Sequence, residues 1–425
     1  MLYKYGEIIE KNLKYQQQTG EVMNLQLDFY ATLLALVGVL LLGRFIISKS
    51  EFLSYYNIPE PVVGGIIVAV ILFCLSKFGN ISFGFESSMK DPLLLSFYSS
   101  IGLSADFSSF KKGGRVLIGF LIIVSILLFF QNIVAVGAAM AMGQNPALGL
   151  LGGSITMSGG HGTGAAWADT FVKAPYNFAA SNEAAMAAAT FGLVMGGIIG
   201  GPVAAYLIKK HNLKQTHLQN KTEETVFEDP ERERRITAIT FVESLALIAT
   251  CLFVGTKLAA WVNSFGFKTT LPTFVYCLLV GAILRNGLNF SGIHKVFDRE
   301  ISVLGNVSLS LFLAFTLMTL NLAQLAAIAL PMTVILILQV IMMIFFAIFV
   351  TFRFCGRDYD AAVLSAGHCG FGLGATPTAI ANMQTVTAHH GMSHMAFIVV
   401  PLVGAFFIDL VNAIVISIFT QLPLW

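Results

Sequence analysis

The sequence predicts an all-α polytopic membrane protein built as two inverted-topology repeats of five transmembrane helices, each with one re-entrant hairpin loop. Three observations lead there. The 425 residues are 56% hydrophobic and only 11% charged, whereas soluble domains carry about 25% charged residues; so few charges cannot cover the surface of a soluble protein this size. Apolar runs long enough to span a bilayer recur along the chain. Two glycine-rich segments, equivalently placed in the two halves, interrupt that pattern.

Residues 1–27 are polar and lysine-bearing and lack the apolar core of a signal peptide. They are read as an N-terminal extension. Met23 offers a second start, which would leave the first 22 residues without a role in the fold. Windows of about 19 residues then give ten expected helices, near 28–48, 60–78, 92–108, 115–142, 184–208, 236–263, 271–290, 302–322, 328–352 and 395–421. The uncharged run Ile301–Phe352 is too long for one crossing and is divided at "NLAQL" (321–325) and Pro331.

One polar segment, 209–235, separates a first repeat (28–208) from a second (236–425). It carries seven Lys/Arg. With Arg44, Lys49, Lys111, Lys112 and Arg115 on the same side, the positive-inside rule makes the linker cytoplasmic and both termini periplasmic. Five spans per half require the halves to be inverted if they are related. A shift of 213 residues places Pro59 of "IPEPVVGGIIVAVIL" on Pro272 of "LPTFVYCLLVGAIL", and Leu151–Asp169 on Leu364–Asn382. Gly159 then falls on Gly372, Thr163 on Thr376 and Ala166 on Ala379. Inverted repeats of this kind are common in secondary transporters.

The paired segments are "GGSITMSGGHGTGAAW" (152–167) and "AGHCGFGLGATPTAIANM" (366–383). Small residues let helices approach closely, and "GLVMGGIIGGP" (192–202) reads that way. The run Ser158-Gly159-Gly160-His161-Gly162-Thr163-Gly164 is poor helix-forming sequence, and Pro377 occupies the equivalent region of the second segment. Both are therefore expected as re-entrant hairpins near 149–170 and 363–383. Non-helical backbone is tolerated at that depth where it is buried in protein or lines a wet cavity. The first is expected to be unwound over Ser158–Gly164. Exposed N–H groups at half-helix N-termini attract anions, and exposed carbonyls attract cations. Expected substrate contacts are Ser158, Gly159, Gly160, His161, Gly162, Thr163 and Gly164 in one tip, and Gly370, Gly372, Gly374, Thr376 and Thr378 in the other.

Charge inside apolar spans is costly and marks function. Asp409, mid-span in "GAFFIDLVNAIV", is expected to meet a cation, with Asn412 on the same helix face; a structural carboxylate is the competing reading. Gln131-Asn132 reads equally as helix glue or ligand. Arg285 is expected to snorkel to the cytoplasmic interface. His161 and His368 are expected as packed neutral side chains, with a proton relay as the alternative. The five cysteines form no CxxC pair. No phosphate-cradling motif, dinucleotide fold context or basic stripe for nucleic acid is present. An intramembrane hydrolase, using Ser158 or the His368-Cys369 pair, and a passive channel remain as rival classes.

The segments "SITMSGGHGTGAAW" (154–167), "SAGHCGFGLGATPTAIANM" (365–383), "IPEPVVGG" (58–65), "LGNVSLSLFLA" (304–314) and "HMAFIVVPLVGAFFIDLVNA" (394–413) resemble the bacterial glutamate:sodium symporter family. The resemblance runs from about Asp28 to Leu424. It implies uptake of L-glutamate with co-transported sodium across the bacterial inner membrane, no cofactor, an elevator-type mechanism and a homodimer. With sodium as the co-transported ion, Asp409, Asn412, Asn382, Thr163 and Thr376 are expected to bind or couple it. A transporter of citrate or malate is the nearest alternative; the absence of arginine from both hairpins favours an amino acid.

Overall fold

The computed structural model describes residues 23–55, 58–213, 236–265 and 271–425. The first 22 residues of the expected extension and all but the first residues of the linker lie outside them. The protein is an all-α polytopic membrane protein. Among the described residues, nine helices are long and apolar enough to cross a membrane. We label the helices α1 (Phe29–Ile47), α2 (Glu60–Gly79), α3 (Lys90–Ser104), α4 (Gly114–Ala141), α5 (Pro146–Ile155), α6 (Gly160–Phe171), α7 (Ser181–His211), α8 (Ala238–Ser264), α9 (Thr273–Ser291), α10 (Asp298–Met318), α11 (Leu322–Phe354), α12 (Tyr359–Leu373), α13 (Thr376–His390) and α14 (His394–Thr420).

The tenth expected span is α3, which has only 15 residues. Its serines turn back on their own helix: Ser99 and Ser104 donate to the carbonyls of Leu95 and Ser100 at 2.8 and 2.9 Å. The chain leaves α3 for a 3₁₀ turn at Phe107–Ser109. The long uncharged run divides between Met318 and Leu322, where Asn321 Oδ1 accepts from the N–H groups of Ala323 and Gln324. Pro331, expected to share in that break, lies inside α11.

Part of the expected extension is structured. Met23–Leu27 forms strand β1, which pairs in parallel with β2 (Ile81–Phe85), Met23 opposite Ile81 and Leu27 opposite Phe85. Parallel neighbours need a long crossover, and α1 and α2 supply it.

The chain forms two compact units. One holds the described residues up to Leu93 with Ser310–Gln324, and the other holds Leu94–Leu309 with Leu325–Trp425. In the first, α1 and α2 cross where Gly43 meets the backbone of Glu60 and Gly64. Leu36, Val39, Met89, Ala314, Phe315 and Met318 form its core, so the C-terminal end of α10 completes a unit otherwise built from the N-terminal residues. In the second, α8 and α9 cross where Gly255 meets Cys277, and Leu103, Ile248, Cys251, Val296 and Ile301 form a core cluster.

The spacing seen in the sequence recurs in the helices. Glu60 and Thr273, Pro146 and Tyr359, and Ser181 and His394 each begin a helix, and the members of each pair are 213 residues apart. Pro59 and Pro272 are both N-cap residues in extended conformation.

Within the second unit α7 carries the small-residue stripe Gly192, Gly196 and Gly200. A Cβ on Gly192 would strike the Leu373 carbonyl, one on Gly196 would lie 3.0 Å from the Gly370 carbonyl, and one on Gly200 would strike the Asn382 side chain. The stripe is a packing face, as its spacing suggests. Gly192→Val is expected to destabilise the protein by about 2 kcal/mol through overpacking. Gly201→Val, where nothing lies within 4 Å of the added Cβ, is the control. Thermal unfolding in detergent compares them.

Candidate functional site

Each glycine-rich segment folds as two short helices joined by a tight turn. In the first, α5 and α6 flank Ser158-Gly159, and Gly160 adopts φ +64°, a conformation that favours glycine. In the second, α12 and α13 flank Gly374 and Ala375. Ala375 is extended, and Pro377 lies in the first turn of α13, where its missing N–H has no helical acceptor to lose.

The unwound part of the first segment is shorter than the sequence suggested. His161, Gly162, Thr163 and Gly164 lie within α6, and only Ser158–Gly160 form the turn. Packing overrides the poor helix propensity of the glycines. Gly162 lies under Phe97 and the Tyr98 hydroxyl, and Gly164 faces Thr156 and Ala185. Gly370 and Gly372 likewise lie inside α12, where a Cβ on Gly370 would collide with the backbone of Ala379. These glycines serve close helix approach, and Gly159, Gly160 and Gly374 shape the turns.

The two turns meet. A Cβ on Gly160 would lie 3.2 Å from the Gly374 carbonyl. Ser158 Oγ donates to Gln131 Oε1 at 2.6 Å and lies 3.2 Å from the Gly372 carbonyl. Gln131 Nε2 donates to that same carbonyl at 2.7 Å. Gln339 Nε2, from α11, donates to the Gln131 carbonyl at 2.7 Å. Beside it, Asn132 Oδ1 accepts from the Ser154 N–H at 2.9 Å. The mid-span polar pair of α4 therefore ties both hairpins to one helix. The N-termini of α6 and α13 begin at these adjoining turns, so two positive helix-dipole ends adjoin in one half-buried region.

A second cluster surrounds Asp409. Thr163 Oγ1 donates to Asp409 Oδ1 at 3.3 Å, and the Tyr98 hydroxyl lies 2.9 Å from Thr163 Oγ1. Sequence reasoning missed Tyr98; its signal was a mid-span tyrosine beside two serines. Asp409 follows a π-helical segment, Val403–Phe407. Asn412, one turn on, donates through Nδ2 to the Ser154 carbonyl at 2.8 Å. Thr376 reaches α14 at Gly404, whose Cβ would lie 3.2 Å from Thr376 Oγ1. Thr378 is buried, with Oγ1 unpartnered among the described residues. Asn382 Nδ2 donates to the carbonyls of Gly196 at 2.8 Å and Ala366 at 3.3 Å.

The histidines are packed. Thr190 donates its hydroxyl to the Met186 carbonyl at 2.8 Å, which leaves it to accept from His161 Nε2 at 3.0 Å. His368 Nδ1 lies 2.8 Å from Thr351 Oγ1, and its ring sits among Phe120, Phe346 and Phe371. Among the described residues neither bonds a carboxylate, so His161→Gln is expected to leave the pH profile of transport unchanged; uptake assayed from mildly acid to mildly alkaline pH checks this. Each meets a threonine hydroxyl, and Ser158 bonds Gln131 and Gly372 and not a histidine. Arg285 is held within the protein. It is 7% exposed, forms a bidentate pair with Asp298 at 2.5 and 3.1 Å, and lies 3.8 Å from Asp106. A buried guanidinium needs such a partner, and this one comes from the start of the next helix.

A cavity of about 350 Å³ opens beside this cluster, lined by Phe97, Ser100, Ser104, Asp106, Ser302 and Asn306 among others. Its size is that of a small-molecule site.

Paired broken hairpins meeting inside an apolar helical protein, with one carboxylate beside them, define a membrane carrier of small polar solutes. The family profile described as sodium/glutamate symporter matches residues 25–392, and the chain belongs to that family. It is 54% identical over 399 residues to a sodium/glutamate symporter of Escherichia coli (strain K12), covering 94% of this chain and 99% of that one. It is 49% identical over 398 residues to one from Haemophilus influenzae, covering 93% and 98%. A symporter is a transporter and not an enzyme, and its ions are cargo and not cofactors.

Proposed function

We propose that this chain takes up L-glutamate together with sodium across the bacterial inner membrane. The observation that carries the reading is the meeting of the two hairpin turns, Ser158–Gly160 and Gly374-Ala375, at the N-termini of α6 and α13. Glutamate brings two carboxylates, and two adjoining helix N-termini offer backbone N–H groups to them without a fixed cation. Asp409, with Thr163 beside it, supplies negative charge for sodium or for the substrate ammonium, and Asn412 and Thr376 adjoin the same helix. The cavity between Phe97 and Asn306 is the way in from one side. Asn382 acts as a tie between α7, α12 and α13.

The two hairpins are re-entrant on this reading, and the halves 28–208 and 236–425 are inverted repeats. The 213-residue spacing of helix starts supports this, and so does the common N-cap proline. The family resemblance supports an elevator-type motion and a homodimer. The basic residues of the linker support a cytoplasmic linker with periplasmic termini. The deciding experiment is uptake of labelled L-glutamate into proteoliposomes with and without an imposed sodium gradient, competed by D-glutamate, aspartate and citrate. Saturable, sodium-dependent accumulation blocked by L-glutamate is expected. Passive equilibration would overturn the reading in favour of a channel, and block by citrate alone would overturn the choice of substrate.

A further inference from the structure

The first arm of hairpin one, α5, is broken one residue before Ser154. Gly153 has φ −95° and ψ −140°, outside the helical region. A Cβ there would lie 2.6 Å from Asn132 Oδ1, so the break is built for glycine. It turns the Ser154 N–H away from the helix to Asn132 Oδ1, while the Ser154 carbonyl accepts from the Gly159 N–H at 3.1 Å and from Asn412 Nδ2 at 2.8 Å. The backbone of Ser154 and the nitrogen of Asn412 are thus fully occupied. Their two oxygens are not: Ser154 Oγ and Asn412 Oδ1 are both buried and have no hydrogen-bond partner among the described residues. Both residues are 0% exposed.

A buried acceptor without a donor is costly, by about 1–3 kcal/mol, and two of them held beside the same carbonyl call for a shared partner. We propose that Ser154 Oγ and Asn412 Oδ1 are ligands of a sodium ion seated in the angle between the broken arm of α5 and α14. Hard cations take oxygen ligands. These two are neutral, and the carboxylate nearest in sequence is Asp409, one helical turn before Asn412. Neutral oxygens with one carboxylate nearby balance a monovalent ion and under-serve a divalent one. Asn132 Nδ2, also unpartnered, is a donor and confines the ion to the Ser154–Asn412 side. The site rests on the reading of the protein as a sodium symporter and gives that reading an ion position linking hairpin one to the last helix.

The test uses full-length protein in detergent, without glutamate, titrated with sodium chloride against choline chloride at constant ionic strength. Ligand binding to the folded state raises Tm with concentration, and wild type is expected to show this for sodium. Ser154→Ala and Ser154→Gly each remove the hydroxyl. Both are expected to shift the sodium midpoint upward by about tenfold, about 1.4 kcal/mol, and to leave the sodium-free Tm unchanged or higher, because an unpartnered buried hydroxyl has gone. If both variants titrate as wild type, the hydroxyl serves only a buried water and the site is refuted. A wild-type Tm indifferent to sodium refutes it too. Sodium-driven glutamate uptake by wild type, measured in parallel, separates these results from failure of the symport reading itself.

Discussion

Asp409→Asn is expected to abolish most sodium-driven uptake while leaving the protein folded. The substitution keeps the side-chain shape and an oxygen to accept from Thr163 Oγ1, now 3.3 Å from Asp409 Oδ1. It removes only the charge. A unit charge about 4 Å from a cation contributes about 4 kcal/mol at an effective dielectric of about 20. The amide dipole of Asn recovers part of this, so a net loss near 2.7 kcal/mol, about 100-fold in sodium affinity, is the expected scale. The measurement is uptake in proteoliposomes as a function of sodium at saturating glutamate, and of glutamate at saturating sodium. A shift confined to the sodium dependence assigns the carboxylate to the ion, and a shift confined to glutamate assigns it to the substrate ammonium. If neither moves, Asp409 is structural. Tyr98→Phe removes a hydroxyl 2.9 Å from Thr163 Oγ1 and no charge, and is expected to cost about 1 kcal/mol. An equal loss in both variants would mean that orientation of Thr163 matters more than the charge.

The two glycine-rich segments were legible in the sequence as paired interruptions because glycine, serine and threonine cluster at equivalent places in the two halves of an apolar chain. Their internal geometry was not. Propensity alone predicts unwinding over Ser158–Gly164, yet four of those residues are helical because Phe97, Tyr98, Thr156 and Ala185 crowd the glycines. Phe97, Tyr98 and Ala185 come from other helices, and sequence spacing carries no trace of them. The ion pair of Arg285 was hidden for the same reason. Snorkelling is the default for a lone arginine near a helix end, and the bidentate partner Asp298 becomes visible only once α9 and α10 are packed. Asp409 and Asn412 were legible because a charge and an amide in an apolar span stand out from their surroundings. The break at Gly153 was hidden, since a glycine pair beside leucines reads as ordinary helix packing until Asn132 is seen to take the Ser154 N–H. Features set by composition or period survive in the sequence, and features set by which helix faces which do not.

Gln131→Leu carries the second large effect. Gln131 bonds the Gly372 carbonyl through Nε2 at 2.7 Å and accepts from Ser158 Oγ through Oε1 at 2.6 Å, so one side chain of α4 holds both hairpin turns. Leucine fills much of the same volume but satisfies neither partner. Each stranded buried group costs about 1–3 kcal/mol, although Ser158 Oγ keeps a longer contact to the Gly372 carbonyl at 3.2 Å. A loss of about 3 kcal/mol in unfolding free energy is expected, with a fall of about tenfold in maximal uptake because the turns no longer hold one register. A double-mutant cycle with Ser158→Ala tests whether the tie is real. If Gln131 and Ser158 satisfy each other, removing both strands fewer groups than the single variants do in sum, and the double variant is expected to recover about 1 kcal/mol. Strict additivity would mean that the two side chains act separately and that α4 does not clamp the tips. The cycle also separates stability from transport. Recovered stability with uptake still depressed would show that the tie sets the geometry of the turns, because packing alone would restore both together.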